Sequence, residues 1–236
     1  YDKKNIIVYK NPNETLKLYA ARNQAIKLSN GKLISFLDTD DYWLPTKLEK
    51  QIDILNNQKT KFVYSNYWIE EKEKKYLPNK KFPEGKIFEK ILKQYPICIS
   101  SVMLDSEFFF KEKLEFNSKY EIIGDYEFFI KLSKENNISV LREPLLVYSL
   151  HDKNTSNIKV DLKIKEIEDM VENSNYLNNK QKQLIVNENN YLKCNQNLIH
   201  NEYKKFFLNF FSIKNSYFSI KLIIKFFLVY FNLIKK

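Results

Sequence analysis

The first 160 residues predict an α/β fold, with a mostly parallel sheet flanked by helices. Three observations carry this. Apolar runs of strand length alternate with helical periodicity in the order strand, helix, strand, helix, strand, which calls for parallel pairing. The run Leu33-Ile34-Ser35-Phe36-Leu37 is short and almost wholly apolar, as in a strand buried on both faces. It passes directly into Asp38-Thr39-Asp40-Asp41, placing acids at a strand's carboxyl end, where open α/β sheets keep their ligands.

Taken in order, Asn5-Ile6-Ile7-Val8-Tyr9 reads as a strand closed by the turn Asn11-Pro12-Asn13. Leu16, Tyr19, Ala20, Ala25, Ile26 and Leu28 then recur at helical spacing, and Gly31 is placed to stop that helix in the left-handed conformation. After the acidic strand, Pro45 suits a first helical turn. The helix it opens, roughly 46–57, sets Leu48, Ile52 and Leu55 on one face. Lys61-Phe62-Val63-Tyr64-Ser65-Asn66 returns as a strand, and the charged stretch 70–81 reads as a surface loop. Ile97 to Leu104 is another strand candidate, and Gly124-Asp125-Tyr126-Glu127 leads into a helix built on Phe128, Phe129 and Leu132. Two short strands, 138–141 and 145–148, are split by Glu143-Pro144. The domain closes at His151-Asp152-Lys153-Asn154-Thr155-Ser156. From about Asp161 the composition turns to Lys, Glu, Asn and Leu in a helical pattern, giving a helical extension over 161–202 and an aromatic, basic tail over 203–236.

At 236 residues and 44% hydrophobic content the chain can bury a sizeable core. A mean hydropathy of −0.49 argues against a polytopic membrane protein. Its two cysteines, Cys98 and Cys194, have no disulfide-framework or zinc spacing, and a reducing cytosol fits them. The net charge of +10 is concentrated: seven lysines and no acid lie between Tyr203 and Lys236, leaving about +3 for the rest. That distribution suggests no basic face on the domain, so a nucleic-acid partner is not expected.

Three acids within four residues repel one another unless something cationic lies among them. A hard divalent ion, Mg²⁺ or Mn²⁺, takes carboxylate and phosphate oxygens together. The same acids also serve as caps for the helix that follows. On residue types alone these readings stand level.

The ordered set decides between them. Ala21-Arg22-Asn23, then Phe36 to Glu49 with Asp38-Thr39-Asp40-Asp41-Tyr42-Trp43-Leu44-Pro45, then Gly124-Asp125-Tyr126-Glu127-Phe128-Phe129, then Tyr148 to Ser156 resemble the family 2 glycosyltransferases of the GT-A, Rossmann-like fold. The resemblance covers about residues 5–160. It implies an inverting sugar transfer from a nucleotide-diphosphate-sugar donor, with Asp40 and His151 as metal ligands for Mg²⁺ or Mn²⁺. It gives Asp38 a place at the donor's ribose or sugar, makes Arg22 a nucleotide contact beside Asn23, and makes Asp125 the catalytic base. Asp41 supports the loop or caps the next helix. Glu127 is a second candidate base, more simply an ordinary first-turn helix acid. Trp43 can stack on a sugar ring or sit in the core beside Pro45.

Two departures accompany the resemblance: Gly124 stands where such enzymes usually carry Glu, and Ser149 where they often carry Arg. The family's opening strand, helix and second strand also have no counterpart, so the domain is expected to be truncated at its N-terminus. A non-catalytic, truncated module that acts as a membrane-associated subunit is the alternative function.

In the tail, Lys214, Lys221, Lys225, Asn232 and Lys236 are spaced seven, four, seven and four apart. That spacing predicts one polar stripe on a helix otherwise rich in Phe, Ile and Leu. Such a helix suits the anionic inner face of the cytoplasmic membrane. The acceptor is then a glycan or lipid-linked glycan of cell-surface polysaccharide synthesis, and the protein a cytoplasmic one held peripherally at the membrane.

Overall fold

The computed structural model describes residues 8, 16–58, 60–214 and 216–231. Apart from Val8, the strand and turn expected over 5–13 lie outside them. The chain divides into two compact units, one of Tyr1–Ile87 with Pro96–Asn154 and the other of Phe88–Tyr95 with Thr155–Lys236.

The first unit is a sheet with helices. Its strands are β1 (Leu33–Ser35), β2 (Tyr42–Trp43), β3 (Phe62–Glu71), β4 (Lys74–Tyr76), β5 (Met103–Asp105) and β6 (Ser139–Leu150). They lie in the order β1-β5-β3-β6-β2, with β4 beside β3. β3 and β6 pair in parallel, while β5 runs antiparallel to both β1 and β3. β1, β3 and β6 therefore share one direction, as the strand–helix–strand order predicts. The α/β expectation holds, but the sheet is mixed rather than mostly parallel. β5 is inserted between β1 and β3, and β2 and β4 also pair antiparallel to their neighbours.

Several local readings change. Helix α1 (Leu18–Leu28) does not end at a left-handed Gly31; Ser29, in extended conformation, closes it by directing both its N–H and its hydroxyl to the Ile26 carbonyl. Helix α2 (Lys47–Gln58) turns Lys47, Gln51 and Leu55 inward and leaves Leu48 and Ile52 exposed. The inward face is thus partly polar. Gln51 bridges Lys47 Nζ (2.6 Å) and the Ser101 carbonyl (2.7 Å), and the ammonium lies 4.3 Å from the Trp43 ring centre. β3 runs on into a hairpin through Lys72, whose φ is +56°. The charged stretch expected to be a loop therefore pairs as strand, with Glu70 opposite Lys75. Residues 138–150 are not two strands, because β6 continues past Pro144 through register shifts that absorb its missing N–H. Within 97–104, a 3₁₀ turn at Ile99–Ser101 leads into the short β5.

Helices α4 (Ser106–Lys111) and α5 (Gly124–Glu135) close the core. Asp105 caps α4 by accepting from the Phe108 N–H at 2.8 Å. Phe128 stacks on Phe116 at 4.4 Å, and Phe129 meets Phe62 of β3 at 5.3 Å. This aromatic layer anchors the start of α5 to the sheet.

The second unit is helical: α3 (Phe88–Ile91), α6 (Thr155–Ile158), α7 (Val160–Asn173), α8 (Asn179–Ile199), α9 (Tyr203–Phe211) and α10 (Ser216–Tyr230). A reciprocal capping box of Asn178 and Gln181 starts α8. The composition change at residue 203 is not a packing boundary. Cys194 and Leu198 of α8 share one cluster with Phe206 of α9, Ile213 and Leu222 of α10. The lysine stripe is corrected too. Lys214 precedes α10, and Lys225 is half-buried with its ammonium on Asn195 at 2.6 Å. Asn232 and Lys236 lie outside the described residues. What α9 and α10 expose is mainly apolar, including Leu208, Phe211, Ile220, Ile224 and Phe227.

Truncating Phe129 to Ala empties the junction of α5 and β3. Urea denaturation should show a loss of about 3–5 kcal/mol, the usual range for a core Phe→Ala change.

Candidate functional site

Five segments of the first unit supply the site: α1, the loop after β1, the turn at Ile99–Ser101, the start of α5 and the end of β6. The loop is shaped by its own backbone, with Asp41 N–H donating to the Asp38 carbonyl at 3.1 Å. Asp38 N–H in turn donates to Ser100 Oγ at 3.1 Å. The three carboxylates consequently point to three different partners.

Asp38 forms an ion pair with Arg22 of α1. The guanidinium is nearly enclosed while Asp38 keeps over a third of its side chain exposed. Arg22 and Asp38, both expected to contact the donor, are therefore held together, and the guanidinium keeps further N–H donors besides the one on Asp38. Asn23 is committed elsewhere. Its amide donates to the Phe116 carbonyl at 2.7 Å and accepts the Phe116 N–H at 2.9 Å, so its contribution is to hold the loop that precedes α5.

Asp40 meets His151, with Oδ2 3.1 Å from Nε2 and both side chains partly exposed. Lys153 N–H points at His151 Nδ1 at 3.2 Å, which leaves Nε2 as the ring nitrogen that faces Asp40. Asn154 Nδ2 approaches the same Asp40 oxygen at 3.5 Å, and Asn154 Oδ1 fixes His151 through its N–H at 2.6 Å. Two donors each about 2.1 Å from an octahedral cation, at right angles, stand about 3 Å apart. The Asp40–His151 pair has that separation. Among the described residues no cluster of three or more His, Cys, Asp or Glu side chains is set to hold a metal by itself. A pair suits Mg²⁺ or Mn²⁺ only if substrate oxygens complete the shell, which is how such ions commonly bind.

Asp41 is buried. It accepts the Ser149 N–H at 3.1 Å, and the Ser149 hydroxyl reaches the Asp40 carbonyl. Burial pushes its carboxyl up from 3.8 to about 6, against the hydrogen bonds from Ser100 and Ser149. The loop support expected of Asp41 is what the structure gives: it clasps the acidic loop to the end of β6. Ser149, where a cation was missed, makes the other half of the clasp. Trp43 donates its indole N–H to the Ser100 carbonyl at 2.8 Å and stands beside Lys47, which ties its ring into the wall behind the loop. Burial lowers the Lys47 ammonium from 10.5 to about 7.

Asp125 sits in the first turn of α5 and keeps some exposure. Burial raises its proton affinity; the nearby Arg22 charge and a hydrogen bond from Tyr19 oppose the rise. Glu127, in contrast, is buried and ion-paired with Lys131 one turn on at 2.7 Å, as a first-turn helix acid would be. Two contributors escaped the sequence reading. Ser100 bonds the acidic loop from below. In the sequence Tyr19 stands as one more apolar position of α1, yet its hydroxyl contacts Asp125. The one signal for Tyr19 was the glycine at 124, whose missing side chain leaves room for a ring.

Residues 1–126 match the model of glycosyl transferase family 2. Over 87 residues the chain is 41% identical to the Escherichia coli UDP-Glc:alpha-D-GlcNAc-diphosphoundecaprenol beta-1,3-glucosyltransferase WfaP, covering 36% of this chain and 34% of that protein. Over 124 residues it is 33% identical to WfgD of Escherichia coli, of the same description, covering 51% and 46%. The chain thus spans about a third to a half of these relatives. The structure of S. aureus TarS 1–349 in complex with UDP-GlcNAc superposes with a TM-score of 0.50 at 14% identity, over 70% of this chain and 50% of that one. That likeness concerns the fold alone.

The Asp41 clasp has a pH signature. The folded carboxyl holds its proton up to about pH 6, whereas the unfolded chain releases it near 3.8. Stability linked to Asp41 is therefore full below about pH 4 and is lost as pH rises toward 6. In thermal melts across that window, Asp41→Asn should remove this part of the decline. An Asn that melts with the wild-type pH dependence would contradict the assignment.

Proposed function

The chain belongs to glycosyl transferase family 2, and we propose that it moves a sugar, with inversion, from a nucleotide-diphosphate-sugar donor to a glycan or lipid-linked acceptor of cell-surface polysaccharide synthesis. The observation that carries this reading is the Asp40–His151 pair, 3.1 Å apart at the end of β6 and the acidic loop. UDP-glucose is the first donor to test, since both Escherichia coli relatives are described by it.

Asp40 and His151 would hold Mg²⁺ or Mn²⁺. When bound, the cation neutralises charge that develops on the departing diphosphate. Arg22 offers N–H donors to phosphate or nucleotide, and Asp38, braced by it, faces the ribose or sugar. Asp125 takes the proton of the acceptor hydroxyl while that oxygen bonds to the anomeric carbon and the bond from carbon to diphosphate breaks. Burial suits Asp125 to this role, because it makes the carboxylate a stronger base.

The departures at Gly124 and Ser149 count toward the non-catalytic alternative only if they leave the site unsupported. The Tyr19 ring occupies the space at Gly124, and Ser149 clasps the acidic loop through its N–H and hydroxyl, so neither change leaves the loop or the start of α5 without support. For lipid-linked acceptors, the exposed Leu208, Phe211, Ile220, Ile224 and Phe227 of α9 and α10 offer peripheral contact with the inner face of the cytoplasmic membrane. Among the described residues no helix is long and apolar enough to cross it.

Calorimetry with UDP-glucose and Mn²⁺, paired with a transfer assay on a lipid-diphosphate-linked GlcNAc acceptor, tests the scheme. Asp40→Asn should abolish both Mn²⁺-dependent donor binding and transfer. Asp125→Asn should leave donor binding within a few fold and cut transfer about 10²–10⁴-fold, the usual worth of a general base. Full transfer by Asp40→Asn sinks the metal assignment, and the absence of binding with any nucleotide sugar favours the module.

A further inference from the structure

Tyr19 is almost fully buried, at 2% exposure, and lies flat against the start of α5. A Cβ added at Gly124 would stand 2.5–2.6 Å from three carbons of its ring. Gly124 does not have a positive φ. What requires glycine there is therefore the ring. This packing puts the phenol oxygen between two acceptors, the Ile122 carbonyl at 2.9 Å and Asp125 Oδ1 at 3.0 Å.

A phenol carries one proton and can serve only one acceptor fully at a time. While Asp125 is ionised, its carboxylate is the stronger acceptor and the bond is charge-assisted. Once Asp125 is protonated, the amide carbonyl of Ile122 becomes the stronger acceptor, and the phenol oxygen is left to face the neutral carboxyl. The phenol itself does not ionise, since burial and the charge of Asp125 both raise its proton affinity.

We infer that Tyr19 is a positioning residue whose hydroxyl turns from Asp125 to the Ile122 carbonyl as the carboxyl gains a proton, and back as it loses one. The inference rests on Asp125 being the base. The acceptor proton passes to Asp125 and no proton leaves Tyr19; only the direction of its O–H bond changes. The other groups that bear on Asp125 are Arg22 of α1, which favours the anion, Asp38 of the acidic loop, which disfavours it, and the Tyr126 N–H in its own helix turn. Cys98, ahead of the 3₁₀ turn, is also within electrostatic reach. Tyr19 is the side chain among them that hydrogen-bonds the carboxyl directly.

The test needs neither donor nor acceptor. Protein labelled with ¹³C at the aspartate carboxyl is titrated by NMR, and the Asp125 signal is identified by its loss in Asp125→Asn. Tyr19→Phe keeps the ring against Gly124 and removes only the hydroxyl. It should raise the Asp125 pKa by about one unit, a tenfold change in proton affinity, with the melting profile of the fold retained. Gly124→Ala, which pushes the ring away, should raise the same pKa, and combining the two substitutions should add little. A shift under about 0.3 units in Tyr19→Phe, or fully additive shifts in the double variant, overturns the inference. Because the titration reads the carboxyl itself, a chain showing the shift but transferring no sugar would keep the inference and lose the assignment of Asp125 as base.

Discussion

Three carboxylates in four residues are electrostatically unfavourable, and their separation organises this domain. Each acid is drawn to a different element: Asp38 to Arg22 on α1, Asp40 to His151 after β6, and Asp41 to the Ser149 N–H within β6. The backbone turn between Asp38 and Asp41 makes that divergence possible, and Ser100 holds it from beneath. Only Asp41 is sealed away, and its raised proton affinity is the cost of burial against two hydrogen bonds. The two left partly exposed, Asp38 and Asp40, are the acids to which the proposed function assigns chemistry.

The sheet delivers these partners because β1 and β6 share a direction. The end of β1 gives rise to the acidic loop, and the end of β6 runs on to His151. The intervening short strand β2 pairs back onto β6, Tyr42 against Val147 and Trp43 against Leu146. The loop is therefore pinned at both ends, by Asp38 N–H on Ser100 at its start and by Asp41 on Ser149, with β2 directly after it, at its close. The proposed cation site, with one residue on each arm, would need such pinning, since two ligands cannot define a geometry if either arm drifts.

Much of this was legible in the sequence, and the failures have physical causes. The acidic loop, Asp125 and His151 stand in the order of the family's motifs, so it was the resemblance, rather than type or spacing alone, that implied their convergence on one unit. The inward face of α2 could not. Periodicity favours Leu48 and Ile52, but Lys47 and Gln51 win because each buried polar group finds a partner, Gln51 reaching the Ser101 carbonyl. The hairpin after β3 was hidden because its stability comes from cross-strand charge pairs rather than an apolar pattern. Pro144 looked like a strand end, yet a bulge costs less than abandoning a ladder buried on both sides at Leu145, Leu146 and Val147. Tyr19 was opaque for a different reason: its meaning depends on a glycine 105 positions away.

That pairing has a further consequence for how the site is held. Tyr19 and Arg22 are one helical turn apart on the same face of α1, and the guanidinium carbon lies 5.4 Å from the Tyr19 ring centre. One contacts Asp125 and the other Asp38, so α1 braces at once the two acids that the proposed function takes as base and donor contact. Asn23, the next residue, ties α1 to the loop ahead of α5 through Phe116, whose ring stacks on Tyr19 at 5.7 Å and on Phe128 at 4.4 Å. A change in how α1 seats on that aromatic layer would thus move Asp38 and Asp125 together. The carboxyl that would meet the acceptor is positioned mainly from outside its own helix, and this is why a glycine can precede it without loosening it.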